Sequence, residues 1–384
     1  MISDGNQSRE RGSAPAEGAP SRSTRSQETV TIYQFAYTGH RLKYVQLLAL
    51  HALDRGMLTT LIMDTHASRS QEFRTHLKEL ESSVRIVGVE NGSLRGLVRL
   101  SRELPSDLVL VPDGDRLAAR LGLAGRWTGD GGLTLLVARD PRQRKSQSLY
   151  GQIKGRLKMR LLTRASRASR VRVLYLDSGL RTESELGVDR LKDPVTITST
   201  TQSTLMLRRD WGLDSERYWF AIVGAITARK NPRLIAESIS QISHRRPVGL
   251  LMAGVVDPEV AGDLKAMSAR LASSGIKFIV VDRMLSEIEI DSAIAAADCL
   301  VLAHSNEGPS GVLAKAAGTG VRVVAAGART LERDVEILGD AAEWARLDVQ
   351  TLSAALARAV DRPRPTASQG ASVCNFTGRM FDGI

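Results

Sequence analysis

Cysteine is nearly absent: Cys299 and Cys374 are the two in 384 residues. No Cys-x-x-Cys and no metal-like spacing surrounds them, which excludes a disulfide framework and a zinc site. Both are expected as buried, reduced thiols. Aromatic residues make up 4% of the chain, too few for the stacking platforms that nucleic-acid binders use. Long apolar runs are missing too. The stretch 293–303 falls well short of the ~20 residues that a membrane-spanning helix needs. The opening MISDGNQSRERGSAPAEG lacks an apolar core behind a basic end, so it does not read as a secretory signal, and a cytoplasmic location is the expectation. Neither AYTGHR nor VGAITA supplies the Gly-x-Gly-x-x-Gly of a nicotinamide oxidoreductase.

What remains, at 42% hydrophobic and 25% charged, is globular composition with length for two domains of roughly 150–200 residues each. The net charge is +11, and its location matters more than its size. Arg139 to Arg172 holds twelve basic residues against one acid, Asp140, so the rest of the chain sums to zero. Within that run Leu149, Ile153, Leu157 and Leu161 recur every four residues, while Lys154, Arg156, Lys158, Arg160 and Arg164 take the other faces. The pattern predicts a basic amphipathic helix. Either its apolar stripe packs on its own domain, or the helix lies on anionic lipid, where each basic group contributes about 1 kcal/mol.

Residues 1–27 have almost no large apolar side chains and are expected to form a disordered tail. From Thr29, near-continuous β-branched runs alternate with helical stretches, as in TVTIYQFA, LTTLIMD, VRIVGVE, DLVLVPD, LTLLVARD and VRVLYLD. A second series begins near Tyr218 with YWFAIVGAI, VGLLMAGVV, IKFIVVD, DCLVLAHS and VRVVAAG. Such runs fit parallel strands covered on both faces. The expected fold is α/β, two doubly wound Rossmann-like domains facing a cleft. The boundaries are a first domain over 28–205, a second over 206–365 and a tail over 366–384, with Asp193-Pro194 opening the linker. Ser286 and Glu289 have capping-box spacing, marking a helix start.

Two strand–loop–helix segments of the second series carry the chemistry. SNEGPSGVLAKAAGTGVRVVAA, from Ser305, places Gly308, Ser310 and Gly311 where backbone amides can meet an anion. Pro309 suits a first helical turn, and Glu307 stands at its mouth. It can accept hydrogen bonds from sugar hydroxyls or serve as a helix cap. VGAITARKNPRLIAESI, from Val223, puts Arg229 and Lys230 in a loop where two cations can hold a diphosphate; a solvated basic turn is the alternative.

These segments resemble the C-terminal domain of GT-B glycosyltransferases, most similar to the retaining family 4 enzymes. The likeness extends over about residues 29–360. It implies that Lys230 and Arg229 clamp the donor diphosphate and that Glu307 is the first glutamate of a Glu-x7-Glu element. It also implies that Gly224, Gly308, Pro309, Ser310 and Gly311 line the donor site. In the first domain, Gly39 and His40 match a glycine loop facing the donor phosphates, a lone exposed loop histidine being the alternative for His40. From topology alone, Arg139 and Asp140, at a strand end on the same side, are expected near the acceptor. Two departures stand out: Ala225, not arginine, follows Gly224, and Lys315 occupies the place of the second glutamate. An ammonium cannot accept from ribose hydroxyls. The nucleotide is then held differently, or a phosphate meets Lys315, or activity is weak or absent.

The resemblance implies sugar transfer from a nucleotide-sugar donor to a glycan or lipid-linked hydroxyl with retention, as in polysaccharide biosynthesis. No cofactor is implied and no metal, since Asp113-Gly114-Asp115 lies in the other domain. Peripheral attachment at the inner membrane face through residues 149–164 is the companion expectation, and no nucleic acid is expected as partner. A non-catalytic GT-B protein serving as a glycan- or nucleotide-binding scaffold is the alternative reading.

Overall fold

A computed structural model describes residues 27–37, 41–138, 149–180, 187, 189–243, 246–307, 310–368 and 373–382. Gly39, His40, Arg139, Asp140, Gly308 and Pro309 lie outside the described residues, as do residues 1–26.

The first series folds as β1 (Thr29–Gln34), α1 (Arg41–Asp54), β2 (Leu58–Asp64), α2 (Gln71–His76), β3 (Arg85–Val89), α3 (Leu94–Glu103), β4 (Leu108–Val111) and α4 (Asp115–Ala124), followed by β5 (Gly132–Val137), α5 (Leu149–Ser166), β6 (Val171–Asp177) and β7 (Arg190–Lys192). The second comprises α6 (Thr201–Asp210), β8 (Tyr218–Val223), α7 (Pro232–Ser240), β9 (Val248–Ala253), α8 (Pro258–Ala261), α9 (Leu264–Ser273) and β10 (Lys277–Val281). It continues through α10 (Glu287–Ala296), β11 (Cys299–His304), α11 (Gly311–Gly318), β12 (Arg322–Gly327), α12 (Arg329–Leu338), β13 (Ala342–Ala345) and α13 (Val349–Asp361), and α14 (Val373–Phe381) is the last described element.

Each series makes one parallel sheet, in the orders β3-β2-β1-β4-β5-β6-β7 and β10-β9-β8-β11-β12-β13. This is the expected α/β fold of two doubly wound, Rossmann-like lobes. Strands β8, β9 and β11 are buried at every position. That burial explains why their sequences run apolar without alternation, since helices cover both faces. The order reverses between β1 and β4 and between β8 and β11. In open α/β sheets, ligands bind outside the strand carboxyl ends at such reversals.

Several elements differ from the sequence-based outline. The sequence predicts a helix near Pro258–Ala272, and the structure has two there: Gly262 closes α8 and Asp263 starts α9. Helix α6, inside the expected linker, has a Thr200/Ser203 capping box. Its Ser203 hydroxyl meets that of Ser292 on α10, and Leu207 joins the core of the second lobe. The stretch read as a C-terminal tail contains α14, whose Phe376, Met380 and Phe381 enter the core of the first lobe. The capping box of Ser286 and Glu289 is present. Of the two thiols, Cys299 is buried and Cys374 is exposed, correcting the expectation that both are buried.

Helix α5 forms, and of the two alternatives for its apolar stripe, packing on its own domain does not hold at Ile153 and Leu157. Ile153 is 64% and Leu157 56% exposed, with Tyr150 at 76%. The helix docks instead through Leu162 and Ala165, both fully buried. Gly122 of α4 makes that docking possible, because a Cβ there would sit 2.1 Å from the Leu161 carbonyl oxygen. No helix among the described residues is long and apolar enough to cross a membrane.

Candidate functional site at the strand reversal of the second lobe

The loops after β8 and β11 flank the reversal, and backbone groups tie them together. The Ser305 amide donates to the Arg229 carbonyl at 2.9 Å. The Asn231 side chain donates to the Ala303 carbonyl at 2.8 Å. Asn231 adopts a left-handed conformation, φ 49°, and Pro232 follows at the start of α7. The sequence Lys-Asn-Pro thus ends one short turn and opens the next helix. Gly224, with φ +83°, comes so close to the neighbouring loop that a Cβ on Gly254 would meet its carbonyl at 2.4 Å.

This scaffold buries Lys230 to 6% exposure. Its Nζ donates to the Val223 carbonyl at 2.7 Å, and a Cβ on Gly224 would lie 3.6 Å from that nitrogen and 4.0 Å from Val312 of α11. Gly224, Lys230 and the first turn of α11 are therefore neighbours. An ammonium has three donors, and no second partner for this one occurs among the described residues. Burial first, and then the Arg229 charge, push the Lys230 pKa down to about 7. Arg229 itself is exposed and reaches the Asn306 side-chain oxygen at 3.2 Å.

Sequence reasoning missed His304, the last residue of β11. It is 8% exposed, its Nε2 is buried with no hydrogen-bond partner among the described residues, and burial with the charges of Lys230 and Arg229 lowers its pKa to about 3. Two cations and a neutral imidazole thus converge with no carboxylate bonded to either Lys230 or His304 among the described residues. Helix α11 adds its amino end, where Ser310 caps by accepting from the Leu313 amide at 3.3 Å. Gly311 is at the same turn, and a Cβ there would come within 3.7 Å of the Asp193 carboxylate.

Glu307 does cap a helix, but the next one along. Its two carboxylate oxygens accept from the Arg329 amide at 3.2 Å and the Thr330 amide at 3.0 Å. Helix α12, whose own first flanking residue is Ala328 and has no side-chain cap, is stabilised from a distance. Lone pairs of the carboxylate remain for further donors.

Lys315 sits in a different environment. It is bonded to Asp291, which is fully buried, and to Glu287 at 3.2 Å. Lys43 of α1 also reaches Glu287, at 2.6 Å, and Thr196 of the linker at 3.0 Å. Burial acts to raise the Glu287 pKa, but Lys315 and Lys43 outweigh it and hold the carboxyl down to about 2. Asp291 accepts from both the amide and the hydroxyl of Thr198. Beside this network, the Tyr44 hydroxyl of α1 donates to Asp193 at 2.7 Å. The lobes and their linker thus meet along one seam, and Lys315 belongs to it.

On the first lobe Arg41 pairs with Asp113 at 2.7 Å and Lys158 with Asp115 at 2.6 Å, so both carboxylates of Asp113-Gly114-Asp115 hold cations. A separate groove of about 510 Å³ runs along α3, lined by Arg95, Arg99, Arg102 and Arg126 among others, and includes none of the candidate residues.

No family model matches the chain, and no curated protein matches it in sequence. Solved structures do match in shape. HepE from Anabaena in complex with UDP superposes with a TM-score of 0.63 at 13% identity, over 92% of this chain and 98% of that one. Sucrose-phosphate synthase from Thermosynechococcus elongatus gives 0.62 at 13% identity over 92% and 94%. WaaG, a glycosyltransferase of lipopolysaccharide biosynthesis, gives 0.56 at 14% identity over 91% and 93%. Likeness at these identities establishes architecture: the chain has the GT-B fold, two Rossmann-like lobes facing a crevice.

Proposed function

We propose that the protein is a glycosyltransferase that moves a sugar from a nucleotide-sugar donor to a hydroxyl acceptor with retention of anomeric configuration. The observation that carries this reading is the buried, carboxylate-free cation Lys230 beside Arg229 and the amino end of α11. These groups converge at the strand reversal of a GT-B lobe, where an anion completes the electrostatics. HepE is known with UDP and with UDP-glucose bound, which supports a nucleoside diphosphate as the moiety held here.

The diphosphate sits against Lys230, Arg229 and the α11 amides, with Gly224, Ser310 and Gly311 allowing close approach. Glu307, fixed by two amides, orients its remaining lone pairs toward sugar hydroxyls. The resemblance would add Gly39 and His40, which lie outside the described residues, from the first lobe. In the transfer step the acceptor oxygen bonds to the anomeric carbon. The bond from that carbon to the phosphate oxygen breaks, and its electron pair leaves on the phosphate. The same phosphate takes the acceptor proton, so neither a carboxylate nucleophile nor a metal is required. The chain supplies orientation and charge stabilisation as the phosphate becomes more negative.

The acceptor is a glycan or lipid-linked hydroxyl, and α5 brings the enzyme to it. Exposed Tyr150, Ile153 and Leu157 are interspersed with exposed Lys154, Arg156 and Arg160, an apolar and cationic face suited to anionic lipid. Lys158, held by Asp115, is not part of it. Cosedimentation with phosphatidylglycerol vesicles should fall when Lys154, Arg156 and Arg160 are changed to Gln, and unchanged binding would remove α5 from the account.

Thermal-shift screening of UDP-, GDP- and ADP-sugars, followed by NMR of the product anomer, tests the central reading. One donor should stabilise the wild type and neither Lys230→Ala nor Glu307→Ala to the same extent. A second reading, a non-catalytic binding scaffold, is favoured by the commitment of Lys315 to Asp291 and Glu287, which leaves the ribose without the family's acceptor. Donor binding with neither transfer nor hydrolysis would select it.

A further inference from the structure

His304 ends β11 on a definite face. Leu300 and Leu302, four and two residues before it, pack in one cluster with Leu313 and Ala316 of α11, whereas Val301 and Ala303 belong to the opposite cluster. Side chains alternate along a strand, so His304 shares the α11 side and stands one step beyond Leu302, at the carboxyl end where the crevice opens. Val223, whose carbonyl holds Lys230, is in the same cluster. The histidine is more than nine-tenths buried and its Nε2 has no partner among the described residues. A buried ring nitrogen without a hydrogen bond costs free energy in the unliganded protein. Hydrophobic packing alone would be served better by leucine, which continues the pattern of 300 and 302.

We propose that His304 is a third ligand of the donor diphosphate, its neutral imidazole donating an Nε2 hydrogen bond to a non-bridging phosphate oxygen beside Lys230. This rests on the nucleotide-sugar reading and adds a residue to its site. The facing groups explain the choice of a neutral donor. Lys230 and Arg229 already bring positive charge, and a third buried cation in the empty site would face both. An uncharged N–H adds a bond to the anion without that repulsion. It also remains a donor across the working pH range, since burial first, and then both neighbouring cations, keep the ring neutral. In the tautomer required, Nε2 carries the proton and Nδ1 does not.

The test uses the full-length protein with inorganic pyrophosphate, and with UDP as a second probe, in calorimetric titrations of wild type, Lys230→Met, His304→Leu and His304→Gln. A hydrogen bond to a charged group corresponds to roughly 10- to 100-fold in affinity. His304→Leu should therefore weaken pyrophosphate at least about tenfold. His304→Gln, whose side-chain amide reaches the Nε2 position, should recover most of the loss, which a purely structural role would not predict. If wild type binds pyrophosphate and Lys230→Met does not, while His304→Leu binds like wild type, the histidine assignment is overturned and the diphosphate site stands. If neither probe binds wild type and Lys230→Met changes nothing, the site reading itself fails. Should His304→Leu not fold, nitrogen-15 NMR of the wild-type histidines decides. One Nε2–H resonance, absent from His304→Gln, should shift on adding pyrophosphate, and a His304 resonance that does not move overturns the proposal.

Discussion

Replacing Lys230 with methionine should stabilise the unliganded protein while abolishing its affinity for anions. The lysine is 6% exposed, and its pKa falls from 10.5 to about 7 through burial and the Arg229 charge. At about 1.4 kcal/mol per pH unit, holding the ammonium charged in the empty site costs up to roughly 5 kcal/mol. Between pH 7 and 10.5 the unfolded chain binds this proton and the folded one does not, so the group makes stability rise with pH over that window. Below pH 7 the whole penalty is present. By pH 9 it has dropped to about 2 kcal/mol. Methionine removes the penalty at every pH but leaves the Val223 carbonyl without its donor, a loss of about 1 kcal/mol. The net gain is then about 3–4 kcal/mol at pH 6 and about 1 kcal/mol at pH 9. At roughly 2–4 °C per kcal/mol for a lobe of this size, the melting temperature of Lys230→Met should exceed wild type by about 6–16 °C at pH 6 and by a few degrees at pH 9. Scanning calorimetry at both pH values, with and without pyrophosphate, measures this. Pyrophosphate should close the gap at pH 6 by supplying the missing counter-charge to wild type alone. A variant less stable than wild type at pH 6 without anion, or a gap independent of pH, would refute the reasoning.

Other perturbations test neighbouring parts of the site. Lys315→Glu places a carboxylate against Glu287 and fully buried Asp291; urea unfolding should show a loss of roughly 3–5 kcal/mol, and a neutral effect would mean the seam does not depend on that ammonium. Glu307→Ala strips the first turn of α12 of its two carboxylate bonds and should cost about 1 kcal/mol even without donor, so binding data on this variant must be compared at equal folded fraction. One thiol, Cys374, should react quickly with Ellman's reagent in the native protein. Cys299, whose thiol burial drives well above its ordinary pKa, should react only on unfolding. Two fast thiols would contradict the packing around β11.

The fold was readable because parallel strands covered on both faces leave a strong trace: YWFAIV and CLVLAH are buried at every position and look it. Strands β7 and β13 have three and four residues, too short for any periodicity. In α5 the spacing of Ile153 and Leu157 identified a helix and left open whether its stripe packs or stays exposed; the docking residues Leu162 and Ala165 come after Leu161, the last residue of the stripe read from the sequence. Arg229 and Lys230 were legible as a basic pair, whereas the burial that makes Lys230 unusual comes from β8, β11 and α11 closing round it. Lys315 looked like a lost glutamate. Its partner Asp291 lies on another helix, and no spacing rule links an ammonium on α11 to a carboxylate on α10. His304 read as the end of a strand; a histidine at the carboxyl end of a strand flanking the order reversal was the one signal that could have marked it.

The central claim is that a diphosphate lodges in the crevice against Lys230, Arg229 and the start of α11. A crystal structure of the full chain with the nucleotide that stabilises it most tests this directly. The account predicts phosphate oxygens within about 3 Å of Lys230 Nζ and in front of the α11 amides. A nucleotide bound elsewhere, such as along the arginine-lined groove of α3, with Lys230 still bonded to the Val223 carbonyl alone, would contradict it.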